Sequence, residues 1–163
     1  MDTTQKNEAL ILLGANLGDI KQSFNNAIIE IKQLGVIKKK SSLYVSPSWG
    51  FKAPDFINQA IMLETELTPF ELLEKLLSIE EKMGRKRMGE GYQSRTIDLD
   101  IILIKDTTIC SDKLTVPHLK MHERKFVLVP CNEIASNWHH PILKKSINEL
   151  LKNCEDSSNP KKL

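Results

Sequence analysis

The chain has 163 residues and a formal net charge of +2, with 23 lysines and arginines against 21 aspartates and glutamates. Its 40% hydrophobic and 27% charged residues exclude disordered and fibrous proteins, and its length suits one domain with a buried core. A nearly neutral chain also lacks the basic excess of general nucleic-acid binders, so we expect no nucleic-acid partner.

Neither a membrane segment nor a disulfide framework is expected. The longest apolar runs, such as residues 101–104, fall far short of the roughly 20 residues that span a bilayer, and residues 1–8 are too polar for a signal peptide. The cysteines Cys110, Cys131 and Cys154 are odd in number and widely spaced, which favours reduced thiols over disulfides or a zinc site. We therefore expect a cytoplasmic protein.

The chain begins with a strand pattern that changes to a helix pattern. Residues 9–13 form an apolar run before Gly14, which predicts a buried strand that leads into a loop. Apolar residues then recur at helical spacing between Asp19 and Gly35, which predicts an amphipathic helix. Asp19 is its candidate N-cap, and Gly35 is its predicted C-terminal stop.

Two further strands are predicted on either side of a loop. Residues 36–45 have an extended pattern, and residues 46–56 contain two prolines and a glycine that favour a loop. The next residues alternate, which predicts a strand with two largely buried faces. One face carries Ile57, Ile61 and Leu63, and the other carries Phe56, Asn58, Ala60 and Met62.

A second helix has a complete start signal at Thr68-Pro69-Phe70-Glu71. Threonine is the N-cap, proline takes the first helical position and glutamate closes a capping box. The helix is predicted to run to Gly84. Since Glu80 falls on its apolar stripe, this carboxylate needs a partner inside the protein.

The order of elements predicts an α+β fold. A charged, glycine-containing loop over residues 84–94 precedes a strand over residues 96–104. The resulting βαββαβ order favours a ferredoxin-like antiparallel sheet with both helices on one face. Helical segments over residues 126–135 and 146–153 are expected to cover the other face, giving three αβα layers. The polar tail over residues 154–163 is expected to be frayed.

Two aspartates in the last predicted strand are the sharpest local feature. Asp98 and Asp100 are two residues apart, so their side chains project from the same face of a strand. Paired carboxylates suit Mg²⁺, which takes one or two of them and completes its shell with water and substrate phosphates. The alternatives are a solvated edge-strand face or an ion pair between aspartate and arginine.

Three of the four arginines lead into that strand. Arg85, Arg87 and Arg95 could close over a polyphosphate, since guanidinium groups bind phosphate in bidentate fashion. A solvated loop is the alternative. No Walker A sequence or kinase-type glycine loop is present, so phosphate binding would depend on these side chains and on metal ions.

The pair Phe56 and Asn58 could bind a flat heterocycle, because an aromatic ring lies beside a carboxamide on one strand face. A core phenylalanine beside a turn or bulge asparagine is the alternative. His118 is expected near this site. His122 follows four residues later without the glutamate of a zinc-binding H-E-x-x-H helix.

Together these residues resemble the 6-hydroxymethyl-7,8-dihydropterin pyrophosphokinase family of folate biosynthesis. The most specific segment is Arg95-x-x-Asp98-Leu99-Asp100-Ile101-Ile102. The resemblance extends over nearly the whole chain, through residues 13–19, 42–44, 54–58, 80–87, 95–102 and 114–126. It implies one pyrophosphokinase domain over residues 1–163 and transfer of pyrophosphate from ATP to the dihydropterin with release of AMP. We expect the protein to act as a monomer.

The resemblance also implies roles for individual residues. Asp98 and Asp100 would hold two Mg²⁺ ions, and Arg85 and Arg95 would steady the triphosphate. The ATP side would be lined by Glu80, Arg87, Ile101, Lys113, Thr115, His118 and Arg124. The pterin would lie between Phe56 and Phe126, with Asn58 at its edge and Ser46, Pro47, Trp49 and Tyr92 completing the pocket.

The chain departs from many relatives at Ala15, Tyr92 and Leu119, where they have serine, tryptophan and tyrosine, and Gly91 stands where some have an arginine. Two other hypotheses remain for the residues alone. An RRM-type module would need an aromatic RNP1 strand and a basic sheet face, which the Asp98 strand lacks. A regulatory domain would bind a small ligand without requiring Mg²⁺ and ATP together.

Overall fold

The computed structural model describes residues 5–46, 55–84, 86–88, 92–94 and 97–163, and of residues 86–88 and 92–94 only the backbone. The strands are β1 (Asn7–Ala15), β2 (Val36–Lys40), β3 (Tyr44–Ser46), β4 (Phe56–Thr65), β5 (Lys86–Met88), β6 (Tyr92–Ser94), β7 (Asp98–Ile104), β8 (Ile109–Cys110), β9 (Thr115–Val116), β10 (His139–His140), β11 (Lys145–Ser146) and β12 (Lys161–Lys162). The helices are α1 (Ile20–Ile31), α2 (Pro69–Lys82), α3 (Lys125–Ala135) and α4 (Ile147–Lys152), with a 3-10 turn at Met121–Glu123.

Both predicted helix starts in the first half of the chain are confirmed. The Asp19 side chain accepts a hydrogen bond from the Gln22 N–H, and Thr68 and Glu71 form the complete capping box of α2. Helix α1 ends slightly before Gly35. A Cβ atom on that glycine would clash with the Glu64 carbonyl oxygen, so the close approach of β4 requires glycine there.

The main sheet is antiparallel and has the order β12-β3-β4-β1-β7, with β2 also paired to β4. The single strand predicted over residues 36–45 is wrong, because β2 and β3 pair with different parts of β4. Between them, the Ser41 N–H donates to the Ala60 carbonyl and the Ser41 hydroxyl accepts from the Ala60 N–H. A side-chain oxygen thus replaces a backbone carbonyl and interrupts the regular ladder.

Each face of the sheet packs against its own pair of helices. Helices α1 and α2 pack against the face that carries Leu13, Ile61 and Leu99. Helices α3 and α4 pack against the face that carries Leu12 and Ala60. The predicted alternation along β4 is therefore confirmed, as is the α+β class with an antiparallel sheet. None of the helices in the described ranges is long and apolar enough to cross a membrane.

Two predictions for irregular segments differ from the structure. Strands β5 and β6 pair within the segment predicted as a loop over residues 84–94. The C-terminal tail is not frayed, because β12 pairs with β3 and the Leu163 N–H donates to the Leu43 carbonyl at 2.8 Å. The polar composition of the tail did not indicate this pairing, because backbone hydrogen bonds rather than apolar side chains hold its end in place.

Candidate functional site

A cavity of about 640 Å³ lies on the α3 and α4 side of the sheet. Its floor crosses three strands, because Asp98 on β7 is the pairing partner of Gly14 on β1, and Gly14 is the partner of Asn58 on β4. We call it the sheet cavity. It is lined by Leu12, Gly14, Ser46, Phe56, Asn58, Asp98, Asp100, Glu123, Arg124, Phe126, Asp156 and Ser158.

Gly14 makes room for the amide of Asn58. A Cβ atom at position 14 would lie 2.7 Å from Asn58 Nδ2, which is too close for undisturbed packing. The Asn58 Nδ2 group donates to the Leu13 carbonyl at 3.3 Å, and this bond fixes the direction of the other amide atom. The glycine that marks the end of the apolar run in the sequence is thus also part of the cavity floor.

Two buried polar atoms in the sheet cavity have no hydrogen-bond partner among the described residues. They are Asn58 Oδ1 and Ser46 Oγ, and both residues are less than 10% exposed. Buried polar groups are nearly always paired, because an unmade hydrogen bond costs free energy. A ligand with N–H donors on one edge would satisfy both atoms.

Two phenylalanines supply the apolar surface of the sheet cavity. Phe56 is 40% exposed, which is high for this residue type, and Phe126 is half-buried at the start of α3. The Arg124 guanidinium carbon lies 5.7 Å from the centroid of the Phe126 ring, a cation–π distance. Aromatic rings beside unsatisfied polar atoms suit a flat, polar heterocycle.

A second cavity of about 360 Å³ follows the outer edge of β7, and we call it the edge cavity. It contains five of the seven residues predicted for the ATP side: Glu80, Ile101, Lys113, Thr115 and His118. Apolar side chains complete it: Leu73, Leu77, Leu99, Leu114 and Leu119. Asp100 lines both cavities.

Backbone groups on the outer edge of β7 are paired by two residues of the edge cavity. The Leu99 N–H donates to Glu80 Oε2 at 2.7 Å, and the His118 N–H donates to the Ile102 carbonyl at 2.8 Å. The predicted need of Glu80 for a partner is confirmed. Because Leu99 lies between Asp98 and Asp100, Glu80 holds the backbone that carries both carboxylates.

The surroundings of His118 lower its pKa and so favour the neutral ring. Burial lowers its pKa, the Asp100 carboxylate opposes this, and the positive charges of Arg124 and Lys120 lower the pKa further. The Lys120 N–H donates to His118 Nδ1 at 3.3 Å. Since Nδ1 accepts, the neutral ring carries its proton on Nε2, and this N–H is a hydrogen-bond donor.

The paired aspartates are suited to a magnesium ion whose coordination shell is completed by water and substrate phosphates. Asp98 and Asp100 alternate along β7 with the buried residues Leu99 and Ile101, as predicted for side chains on a shared face. Within the described part of the chain there is no cluster of three or more histidine, cysteine or acidic side chains suited to a metal. Magnesium needs no such cage, because it keeps several waters and binds substrate phosphates.

Several predicted residues remain without structural description. Arg85, Arg95, Pro47 and Trp49 lie outside the described residues, and Arg87 and Tyr92 lie on β5 and β6, whose side chains are not described. Their roles stay predictions. The structure brings together the other pterin residues, Ser46, Phe56, Asn58 and Phe126, and places Arg124 with them in the sheet cavity.

Sequence reasoning missed five residues of the sheet cavity: Leu12, Gly14, Glu123, Asp156 and Ser158. The first two could have been found from strand register, since they lie on the same face as Asp98 and Asn58. Asp156 and Ser158 had no local signal. They belong to a polar tail, and only its path through the fold brings them to the cavity.

A sequence profile and two relatives match this chain under the same enzyme name. A sequence profile of the family described as 7,8-dihydro-6-hydroxymethylpterin-pyrophosphokinase (HPPK) matches residues 10–136. A 2-amino-4-hydroxy-6-hydroxymethyldihydropteridine pyrophosphokinase of Synechocystis sp. is 41% identical over 145 residues, covering 88% of this chain and 74% of that protein. The protein of the same name from Haemophilus influenzae is 40% identical over 151 residues, covering 91% and 93%.

Solved structures share the fold at low sequence identity. Wild-type Plasmodium falciparum HPPK-DHPS with pteroate superposes with a TM-score of 0.71 at 16% identity, and the match covers 93% of this chain. The chain spans 43% of the length of that protein, so the similarity concerns one part of a larger molecule.

Proposed function

Because the chain belongs to the 7,8-dihydro-6-hydroxymethylpterin-pyrophosphokinase family, we propose that it transfers pyrophosphate from ATP to 6-hydroxymethyl-7,8-dihydropterin in folate biosynthesis. The observation that carries the proposal is the position of Asp100, which lines both the sheet cavity and the edge cavity. A carboxylate shared by two cavities suits a reaction in which a group passes from one bound substrate to another.

The dihydropterin binds in the sheet cavity in this proposal. Its ring lies against Phe56 and Phe126, and its edge N–H groups pair with Asn58 Oδ1 and Ser46 Oγ. The two buried acceptors that have no partner among the described residues support this placement, because a pterin edge offers N–H donors. Pro47, Trp49 and Tyr92 are proposed to complete the pocket.

The nucleotide binds in the edge cavity. The leucines of α2 offer an apolar surface to the base, and Lys113, Thr115 and His118 offer polar contacts. The triphosphate then extends toward Asp100. Arg124 is proposed to contact it from the side of the sheet cavity, Arg87 to contribute to ATP binding, and Glu80 to hold β7 beneath it.

In the reaction, the hydroxymethyl oxygen attacks the β-phosphorus of ATP. A bond forms between these atoms, the hydroxyl proton is released to solvent, the bond from the β-phosphorus to the bridging oxygen of the α-phosphate breaks, and AMP leaves with that oxygen. Asp98 and Asp100 would hold two magnesium ions, which neutralise phosphate charge when bound. Arg85 and Arg95 are proposed to stabilise the charge that develops on the transferring group, so catalysis depends mainly on positioning and electrostatics.

We also assign the fold to the ferredoxin-like class with three αβα layers. Support comes from the order β3-β4-β1-β7 within the sheet and from the two helix pairs that pack on opposite faces. In a βαββαβ unit this order brings the first and last strands side by side. Gly14 and Asp98 become neighbours for that reason.

The proposal is tested by product analysis. The purified protein is mixed with ATP, Mg²⁺ and 6-hydroxymethyl-7,8-dihydropterin, and the nucleotides are separated by chromatography. We expect AMP and the pterin diphosphate in equal amounts, and neither without Mg²⁺ or without the pterin. Formation of ADP, or no turnover with all three components present, would contradict the proposal.

A further inference from the structure

The C-terminal tail after α4, residues 154–163, runs as an extended segment beside the sheet cavity. Its residues alternate in burial: Cys154, Asp156, Ser158 and Pro160 are partly or fully buried, and Glu155, Ser157 and Asn159 are exposed. Cys154 packs against the core formed by α3, α4 and the sheet. Alternation of this kind is typical of an extended chain with one side against the protein.

The first anchor of the tail is the start of α3. Asp156 Oδ2 accepts from the Lys125 N–H at 2.9 Å. The residue before the helix, Arg124, makes no capping bond with its own side chain. Helix starts leave N–H groups unpaired and favour negative charge, so the tail supplies the cap that the local sequence lacks.

A turn within the tail holds the Asp156 carboxylate in place. Asp156 Oδ1 accepts from the Ser158 N–H at 2.9 Å, and Oδ2 accepts from the Ser158 hydroxyl at 2.8 Å. Burial acts to raise the pKa of Asp156, but the hydrogen bonds from Ser158 and Lys125 outweigh it and the pKa is lowered. The carboxylate is therefore charged at neutral pH, where it caps α3.

The second anchor is β3, on which Ser46 lines the sheet cavity. Strand β12 pairs with β3, and Glu133 of α3 accepts from the Ser42 N–H at 2.8 Å and from the Tyr44 hydroxyl. Lys162 of β12 lies 4.0 Å from the same carboxylate. The tail thus connects the two elements that carry Ser46 and Phe126.

We propose that the C-terminal tail is a wall of the sheet cavity and that Asp156 is a positioning residue for Phe126 and Arg124 in pterin binding. The inference rests on the proposed function and adds a segment that lies beyond the family match at residues 10–136. Asp156 and Ser158 themselves line the cavity. Loss of the cap would let the first turn of α3 move, and Phe126 lies in that turn.

The test compares three variants by steady-state kinetics. For Asp156→Ala we expect KM for the dihydropterin to rise about tenfold, the equivalent of one lost cap, with KM for ATP and kcat within about threefold of wild type. Glu155→Ala removes the same charge from the exposed side of the tail, and Asp19→Ala removes a cap from α1. Both controls should leave KM for the dihydropterin unchanged.

Asp156→Asn separates positioning from folding, because the amide oxygen can still accept from the Lys125 N–H. We expect it to recover most of the dihydropterin KM. If Asp156→Ala lowers the melting temperature but leaves this KM as in Asp19→Ala, the tail only stabilises the fold and the inference is wrong. Equal increases in KM for both substrates would also overturn it.

A binding measurement keeps this inference separate from the proposed function. Calorimetric titration of dihydropterin, with Mg²⁺ and a non-hydrolysable ATP analogue present, requires no turnover. If wild-type protein makes no AMP, the proposed function fails. A weaker affinity of Asp156→Ala than of Glu155→Ala would still support the tail as a cavity wall, and equal affinities would exclude it.

Discussion

The sheet cavity and the edge cavity share Asp100, but different kinds of contact build them. The floor of the sheet cavity depends on register between strands, since Asp98, Gly14 and Asn58 are aligned by pairing. The edge cavity depends on single hydrogen bonds to the outer edge of β7, from Leu99 to Glu80 and from His118 to Ile102. An edge strand can therefore serve two sites at once, one on its face and one along its outer edge.

Because the two cavities are built differently, a substitution in one cavity should change the kinetics of one substrate and leave the other unaffected. The exception is Asp100, which both cavities share. For Asp100→Asn we expect kcat/KM to fall about a thousandfold for both substrates, because the charge proposed to hold magnesium beside the phosphates is lost. Steady-state kinetics with each substrate varied will measure it. Asp112→Asn, at an exposed position of the β8–β9 turn, is the control and should behave like wild type. Near-normal turnover of Asp100→Asn would remove this residue from the reaction.

A substitution confined to the sheet cavity should affect the pterin alone. For Phe126→Ala we expect KM for the dihydropterin to rise about 10- to 100-fold, because a stacking surface is lost, while KM for ATP stays the same. Phe70→Ala is a matched control, since Phe70 is 42% exposed on α2 and lines neither cavity. A larger change in KM for ATP than for the pterin would reverse the assignment of the two cavities.

Substitution of the buried Glu80 tests whether its hydrogen bond to Leu99 holds β7 at the edge cavity. Glu80→Ala leaves the Leu99 N–H without its acceptor, so we expect the free energy of unfolding to fall by about 2 kcal/mol and kcat to fall with it. Glu80→Gln keeps an acceptor oxygen and should recover most of the stability. Urea denaturation followed by circular dichroism measures both.

Glu74→Ala provides the matched control for Glu80, because Glu74 lies on the same helix but is exposed. It should lose only a few tenths of a kcal/mol. Equal losses for the two alanine variants would mean that the hydrogen bond to Leu99 does not hold β7.

The smallest effect is expected at Tyr44 on β3, the pairing partner of Asn58 in the floor of the sheet cavity. Burial, followed by the hydrogen bond to Glu133 and the charge of that carboxylate, raises the pKa of Tyr44 to about 12. The folded state thus keeps a proton that the unfolded chain releases near pH 10. Stability from this group is complete below pH 10 and is lost as the pH rises toward 12.

For Tyr44→Phe we expect a loss of about 1 kcal/mol of unfolding free energy at pH 7 and a weaker fall in stability between pH 10 and 12. Thermal unfolding measured across this pH range checks both expectations. KM for ATP should not change, because Tyr44 contacts the α3 side of the sheet through Glu133. An unchanged alkaline stability profile would contradict the role of this hydroxyl.

Local patterns predicted the elements on which the site is built. Alternation placed Phe56 and Asn58 on one face of β4, the capping sequence located the start of α2, and the position of Glu80 on an apolar stripe required an internal partner. Each of these features involves neighbouring residues, so spacing alone determines it.

Long-range pairing was harder to predict. The interruption between β2 and β3 depends on a hydrogen bond from the Ala60 N–H to the Ser41 hydroxyl, and the order of the tail depends on β3 and α3. No local pattern encodes either contact. Arg124 was grouped with the ATP residues by resemblance, and its position in the sheet cavity follows from the start of α3.

The most direct test is a crystal structure with dihydropterin, Mg²⁺ and a non-hydrolysable ATP analogue bound together. We expect the pterin ring between Phe56 and Phe126 in the sheet cavity, the adenine in the edge cavity, and the triphosphate beside Asp100. Both ligands in one cavity, or a triphosphate that does not approach Asp100, would contradict the division of the site between the two cavities.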